Sequence, residues 1–361
     1  MKRNLPALRL LLAAVVLLLP TAAFAQSSSA SLANLPDADV LIYVSPQRIL
    51  NDAAPKLMSP NDLASMRSSF GEMKKSVGFD PSTVEYLVIA LRFHKPAGDL
   101  SFVAPDVMAV IGGDFSADSL MSLAQLSLGD KIKVEKQGTK TVAYMKVDPI
   151  AEQAAKMPML KSLVEIGGVA LSANSLAVGN MPYLKSAIEA SEGGARIKAA
   201  TIQSLMRDPN VLMAATGAPL ASVAKALGLF GTETTPREGR CETPFGDFYT
   251  AVTINGDNFS LRGAMNADNP DTAKIISGLL AGLMQQGIGA VPDQKIQSIV
   301  QSIKMTPKEN EVVWEADIPE KTIAELLAPA AKKVEPAAAS APAKTKPKTR
   351  TRRPVHKTHS N

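Results

Sequence analysis

The chain has 361 residues, of which 46% are hydrophobic and only 4% aromatic. It can bury a large aliphatic core, but it lacks the aromatic faces on which sugars or bases stack. The net charge of +5 is unevenly placed: residues 26–330 carry 27 basic against 33 acidic side chains, and residues 331–361 carry nine basic against one acidic. An acidic body with a basic tail does not have the charge pattern of a nucleic-acid binder, and no nucleic acid is expected as partner.

The first 25 residues have the layout of an export signal. Lys2, Arg3 and Arg9 precede an uncharged run from Leu10 to Leu19, then come Pro20 and Ala23-Phe24-Ala25. The run falls short of the roughly 20 apolar residues of a membrane span, so cleavage after Ala25 is expected, with no transmembrane helix afterwards. The expected location is periplasmic or secreted. Cys241 is the only cysteine. It excludes an intramolecular disulfide and a thiolate zinc site, and residue 26 is Gln rather than a lipid-bearing Cys.

Residues 26–35 are Ser/Ala-rich and predict a flexible leader. A strand is expected at Val40–Val44. A helix follows with Pro60 in its first turn, the stripe Leu63, Met66, Phe70, Met73, Val77, and Gly78 as its stop. Strands are expected at 85–93 and 107–112, and a helix from Ser116 or Asp118 to Leu126. Alternation and turn residues predict a hairpin over 131–147, a helix opened by Pro149, a second hairpin at 168–179 around Asn174, and a helix over 182–190.

The order then starts again. Asp37-Ala38-Asp39-Val40-Leu41 is echoed by Asp208-Pro209-Asn210-Val211-Leu212, and each strand leads to a proline, Pro46 or Pro219. Strands are expected at 248–254 and 259–265, and a helix over 270–286. A last hairpin, 302–306 with 311–317, is matched to the one at 131–147, and Pro319 opens a final helix. Hairpins interrupted by helices, without βαβ alternation, predict an α+β fold of two pseudo-repeats, 36–195 and 196–330, each an antiparallel sheet with helices on one face.

The opening motif Leu35-Pro36-Asp37-Ala38-Asp39, the Gly78-Phe79-Asp80-Pro81 turn and the Asn174-x-x-Ala177-Val178-Gly179 hairpin together resemble a loose group of secreted bacterial proteins with a duplicated α+β domain and no assigned activity. The resemblance implies the duplicated fold and brings no activity, cofactor or ligand with it.

Candidate chemistry is sparse. Ser222-Val223-Ala224-Lys225 matches the S-x-x-K of serine β-lactamases, but the Ser-x-Asn element Ser172-Ala173-Asn174 precedes it and no Lys-Thr-Gly follows. A lysine on an Ala/Leu helix is the reading preferred here. His94 follows a strand, and His356 and His359 stand three apart without further ligands, so no metal site is expected. Gly287 and Gly289 lack the third glycine of a dinucleotide loop, and no cofactor is expected. Asp37 with Asp39, and Asp114 with Asp118, are carboxylate pairs at a strand entry and a helix cap.

The tail is the sharpest functional feature. Pro336, Pro342, Pro347 and Pro354 among Ala and Lys predict a disordered segment reaching on the order of 90 Å at roughly 3.1 Å per residue. Lys344, Lys346, Lys348, Arg350, Arg352, Arg353 and Lys357 are the expected contacts to anionic envelope polymers or lipid headgroups. The sequence thus favours a non-enzymatic binding or structural envelope protein. A hydrolase with its site between the repeats and a carrier of an apolar ligand using the Met-lined helix are the alternatives.

Overall fold

The computed structural model describes residues 32–94, 104–146, 165–208, 210–218, 246–290 and 293–333. Twelve strands form one antiparallel sheet in the order β11-β12-β10-β9-β8-β1-β2-β3-β7-β6-β5-β4. In chain order these are β1 (Val40–Val44), β2 (Val84–His94), β3 (Ala104–Gly113), β4 (Lys133–Gln137), β5 (Lys140–Lys146), β6 (Glu165–Ser172), β7 (Ser175–Asn180), β8 (Val211–Gly217), β9 (Phe248–Asn255), β10 (Asn258–Asn266), β11 (Lys304–Lys308) and β12 (Glu311–Pro319). The helices are a stretch over residues 46–57 (α1), then α2 (Pro60–Val77), α3 (Ala117–Leu128), α4 (Met181–Ser191), α5 (Ala199–Leu205), α6 (Pro270–Ala290), α7 (Gln294–Ser302) and α8 (Glu320–Lys333).

The fold is α+β and built from two similar halves. In each, three strands run side by side (β1-β2-β3, β8-β9-β10), a helix follows (α3, α6), a hairpin joins the sheet beside the third strand, and another helix follows (α4, α8). The halves meet at β1 and β8, which pair antiparallel from Val40↔Gly217 to Val44↔Met213, so a single sheet runs through both. Contrary to the sequence match, the last hairpin does not correspond to the one at 131–147. β12 pairs with β10 as β7 pairs with β3, so β11-β12 occupies the place of β6-β7, and β4-β5 is an edge hairpin of the first half. Both hairpins begin after a helix and alternate alike, and pairing partners, which are non-local, decide their place.

The core divides between the two faces. On β10, Met265 joins one apolar cluster, while Arg262, an odd number of residues away, pairs with Ala251 of another. The larger cluster gathers Leu41, Tyr43, Val88, Met108 and Val169 under α4 and α5, with Tyr183, Leu184 and Leu205 fully buried. The other face holds Met265, Ile276 and Val312 under α6, and Ala53, Leu212, Phe259 and Ile323 between α1 and α8. α4 and α5 thus cover one face of the joint sheet, and α1, α6 and α8 cover the opposite face. Two of these clusters mix residues of both halves. Lys56 of α1 reinforces the join, its Nζ lying 3.3 Å from Glu320 Oε2 and donating to Gly256 O at 3.1 Å.

The leader reading is also corrected at its end. Leu32 and Leu35, within 26–35, are 0% and 1% exposed, and Ile197 N donates to Leu35 O at 2.9 Å. Two leucines in a Ser/Ala-rich run show no periodicity, so only the tertiary fold reveals their burial. The signal segment, the Pro149 and Pro219 helices, and the tail from 334 onward lie outside the described residues.

Candidate functional site

The sequence-derived candidates mostly fall outside the described residues: Ser222, Lys225, Cys241, His356, His359 and the cations Lys344, Lys346, Lys348, Arg350, Arg352, Arg353 and Lys357. Of the carboxylate pairs, Asp39 is structural, its Oδ2 accepting from Phe93 N at 2.6 Å to clamp the end of β2. Asp118 sits in the first turn of α3, whose cap is Ser116: Ser116 Oγ accepts from Ser119 N at 3.2 Å. Asp118 lines a cleft between α3 and the β4-β5 and β6-β7 turns, without Asp114.

The structure brings together a polar node that the sequence did not single out. Asp106 on β3 is 5% exposed and holds Arg92 Nη2 at 2.9 Å. Asn180 donates its Nδ2 to Asp106 Oδ1 and accepts from Val107 N at 2.7 Å. The Arg92 guanidinium lies 4.7 Å from the centre of the Tyr183 ring, and its Nη1 donates to Ser186 Oγ at 3.3 Å. Tyr183 in turn donates to Asp37 O at 3.0 Å. Burial pushes the Tyr183 hydroxyl far above its ordinary range, against the opposing pull of Arg92. An arginine and an aspartate inside otherwise apolar strands were the available signal. The node pins β2, β3, β7 and α4 together: its carboxylate and amide are both engaged, which suits anchoring rather than proton transfer.

A polar cleft of about 510 Å³ lies between α3, the β4-β5 turn and the β6-β7 turn. Asp118, Gln125, Thr139, Lys140 and Ser172 line it above Met121. Its strongest polar groups already serve the fold. Lys140 Nζ donates to Leu171 O at 3.0 Å, and Thr139 donates its N to Glu192 Oε1 at 2.8 Å. The Thr139 hydroxyl and amide together hold the Glu192 carboxyl below its usual range.

The other shifted carboxylates behave alike. Ser82 lowers Asp80, Ser260 and then Arg262 lower Asp317, and Lys295 lowers Glu325. A general acid at neutral pH needs the opposite shift. Among the described residues there is no group of three or more His, Cys, Asp or Glu placed to hold a metal ion.

Several helices present apolar side chains to solvent, among them α6 with Ile275 and Leu279 and α2 with Met73 and Val77. α2 carries Leu63, Met66, Phe70, Met73 and Val77, yet none of its 18 residues is buried, and Met73 and Val77 are 41% and 40% exposed. Its ends are well made: Ser59 Oγ accepts from Asp62 N at 3.2 Å, and Gly78 closes the helix at φ 70°, donating to Lys74 O. Among the described residues no helix is long and apolar enough to cross a membrane.

No protein-family model matches the chain, and no curated protein does. Among solved structures it is similar to TP0453. Crystal form I gives a TM-score of 0.39 at 8% identity, covering 82% of this chain and 96% of that one. Form III gives 0.39 at 11% identity over 82% and 97%, and form IV gives 0.38 at 10% over 82% and 95%. Likeness of this degree carries no argument about ligand or partner.

Proposed function

We propose that this is an exported, non-enzymatic envelope protein whose folded body delivers a basic tail to anionic envelope polymers or lipid headgroups. The observation that carries the reading is the division of charge: nine cations and one anion in residues 331–361, attached to a body with six more acidic than basic residues. Near an anionic surface that body is repelled and the tail drawn in, over a screening distance of roughly 8 Å at physiological salt. Lys344, Lys346, Lys348, Arg350, Arg352, Arg353 and Lys357 are the proposed contacts.

The folded part supports a scaffold role. A hydrolase with its site between the repeats needs a cleft there, whereas β1 and β8 join the halves as hydrogen-bonded neighbours. The shifted carboxylates are all lowered and engaged by hydroxyl or cationic partners.

The test compares residues 26–361, a form ending at residue 333, and a form with the nine tail cations changed to Gln. Binding to anionic envelope fractions is measured across a salt series. The intact form should bind at low salt and release as salt rises, and both altered forms should bind weakly throughout. Equal binding by all three at low salt refutes the role of the tail.

A further inference from the structure

Among the described residues no layer buries the stripe of α2: Leu63, Met66 and Phe70 are half-buried, and Met73 and Val77 are exposed. An amphipathic helix of this length gains most of its stability by burying its apolar face. α2 instead touches the described part of the protein chiefly near its two ends, at α1 and at the turn Pro81–Thr83. On a wheel of about 100° per residue the five stripe residues span an arc of about 80°. Arg67 and Lys74 fall within about 40° of one edge of that arc. Asp62 borders the other edge, but its carboxylate is engaged by the cap, accepting from Ser59 Oγ at 2.7 Å. Glu72 lies on the opposite side. Lys74 Nζ reaches Asp80 Oδ2 at 3.3 Å, while Arg67 and Lys75 form no ion pair among the described residues.

We propose that α2 lies in the surface of an anionic phospholipid leaflet. Leu63, Met66, Phe70, Met73 and Val77 enter the boundary of the acyl chains, and Arg67 and Lys74 reach the headgroup phosphates. This is the arrangement of an interfacial helix, apolar on one side and cation-edged where headgroups begin. Charge selects the occupant: cations edge the stripe, and the same chain carries the basic tail. The inference rests on the tail reading only for the choice of an anionic leaflet.

The test uses residues 26–361 in a Cys241→Ser background. A polarity-sensitive fluorophore is placed in turn on Met73→Cys, Val77→Cys, Glu72→Cys and Lys75→Cys. The probes are vesicles of phosphatidylglycerol with phosphatidylcholine, vesicles of phosphatidylcholine alone, and dextran sulfate as a lipid-free polyanion. Emission at 73 and 77 should shift to the blue with the anionic vesicles alone, and emission at 72 and 75 should stay fixed. The unlabelled Met73→Ser/Val77→Ser form should partition into those vesicles about tenfold or more weakly, since two apolar side chains no longer leave water. It should keep its far-UV circular dichroism, because neither residue is buried.

Equal shifts at all four positions, or none at 73 and 77 while the protein sediments with the vesicles, overturn the proposal. A shift at 73 and 77 that tracks protein concentration without lipid replaces the leaflet with a second copy. An equal shift with neutral vesicles removes the anionic preference and overturns the proposal as stated. The nine-Gln tail form keeps the two readings apart. If it binds dextran sulfate as well as the intact chain, the tail reading falls, while the fluorophores judge α2 separately.

Discussion

Replacing Asp106 by Ala strikes the first half of the sheet, and the effect should be read in the second. The substitution leaves the Arg92 guanidinium without its carboxylate and Asn180 Nδ2 without that acceptor. Removing one partner of a buried pair costs about 3–5 kcal/mol. The Arg92 side chain is 35% exposed, and water screens part of its charge, so about 2–3 kcal/mol is expected. At about 2–4 °C per kcal/mol the melting midpoint should fall by about 5–10 °C. Trp314, the only tryptophan, sits on β12 in the other half. Because Val211, Ala214 and Ala251 share a cluster with Leu41 and Val88, the two halves should unfold together. Urea unfolding followed by Trp314 emission and by circular dichroism should therefore shift by the same amount. Arg92→Met combined with Asp106→Leu should recover part of the loss, because no charge is then left unpaired. An unmoved Trp314 transition beside a shifted circular dichroism transition would refute the cooperative sheet. A loss under about 1 kcal/mol would refute the weight given to the ion pair.

Gly263 faces Trp314 across β10 and β12, and an added Cβ would collide with the Trp314 ring at Cε2. Gly263→Ala should lower the midpoint by several degrees and displace the tryptophan emission maximum, and unchanged emission would contradict the packing. Ser82→Ala removes the leading cause of the lowered Asp80 pKa. A carboxylate whose folded pKa is depressed contributes stability above its unfolded pKa and loses it as pH falls through the folded one. The gap between wild type and Ser82→Ala should therefore be full at neutral pH and close in the acid range. A gap that does not change with pH would point to a lost hydroxyl contact unrelated to charge. Ending the chain at residue 333 should leave the thermal midpoint unchanged, since the removed segment has little apolar surface to bury, and a drop of several degrees would show that it packs on the body.

Local signals carried most of the elements. Val40–Val44 and Pro60–Val77 have the bounds that alternation, Pro60 and Gly78 imply, and the other expected strands and helices among the described residues differ from their bounds by a few residues, while the short helices α5 and α7 were not expected. Local signals did not carry what depends on partners distant in sequence. The last hairpin was matched to the wrong predecessor because its place depends on pairing with β10. The two faces of the sheet could not be told apart, because alternation says that a strand has a buried face without saying what covers it. The Arg92, Asp106, Asn180 and Tyr183 node brings together residues up to 91 positions apart along the chain; Arg92 and Asp106 stand out in their apolar strands, but nothing local says that they pair.

The same contrast explains why α2 was legible as a helix and illegible as a surface. Its stripe has the spacing of a core helix, and apolar faces are usually buried by the fold that makes them. Core requires a second layer, and the structure supplies none that buries even one of its residues. The helix holds its shape through its ends, by the Ser59 cap and the left-handed Gly78, rather than through its face. A helix secured in that way keeps its apolar side available for an external medium. On the two proposals above, α2 and the tail act on the same anionic surface by two different forces. The apolar contribution persists as salt rises while the ionic one fades. Measuring vesicle binding across salt for the intact, nine-Gln and Met73→Ser/Val77→Ser forms therefore separates them. The Gln form should show weaker binding that barely responds to salt, and the Ser form should show binding that salt abolishes. Identical salt curves for the two altered forms would mean that α2 and the tail do not act on one surface by separate means.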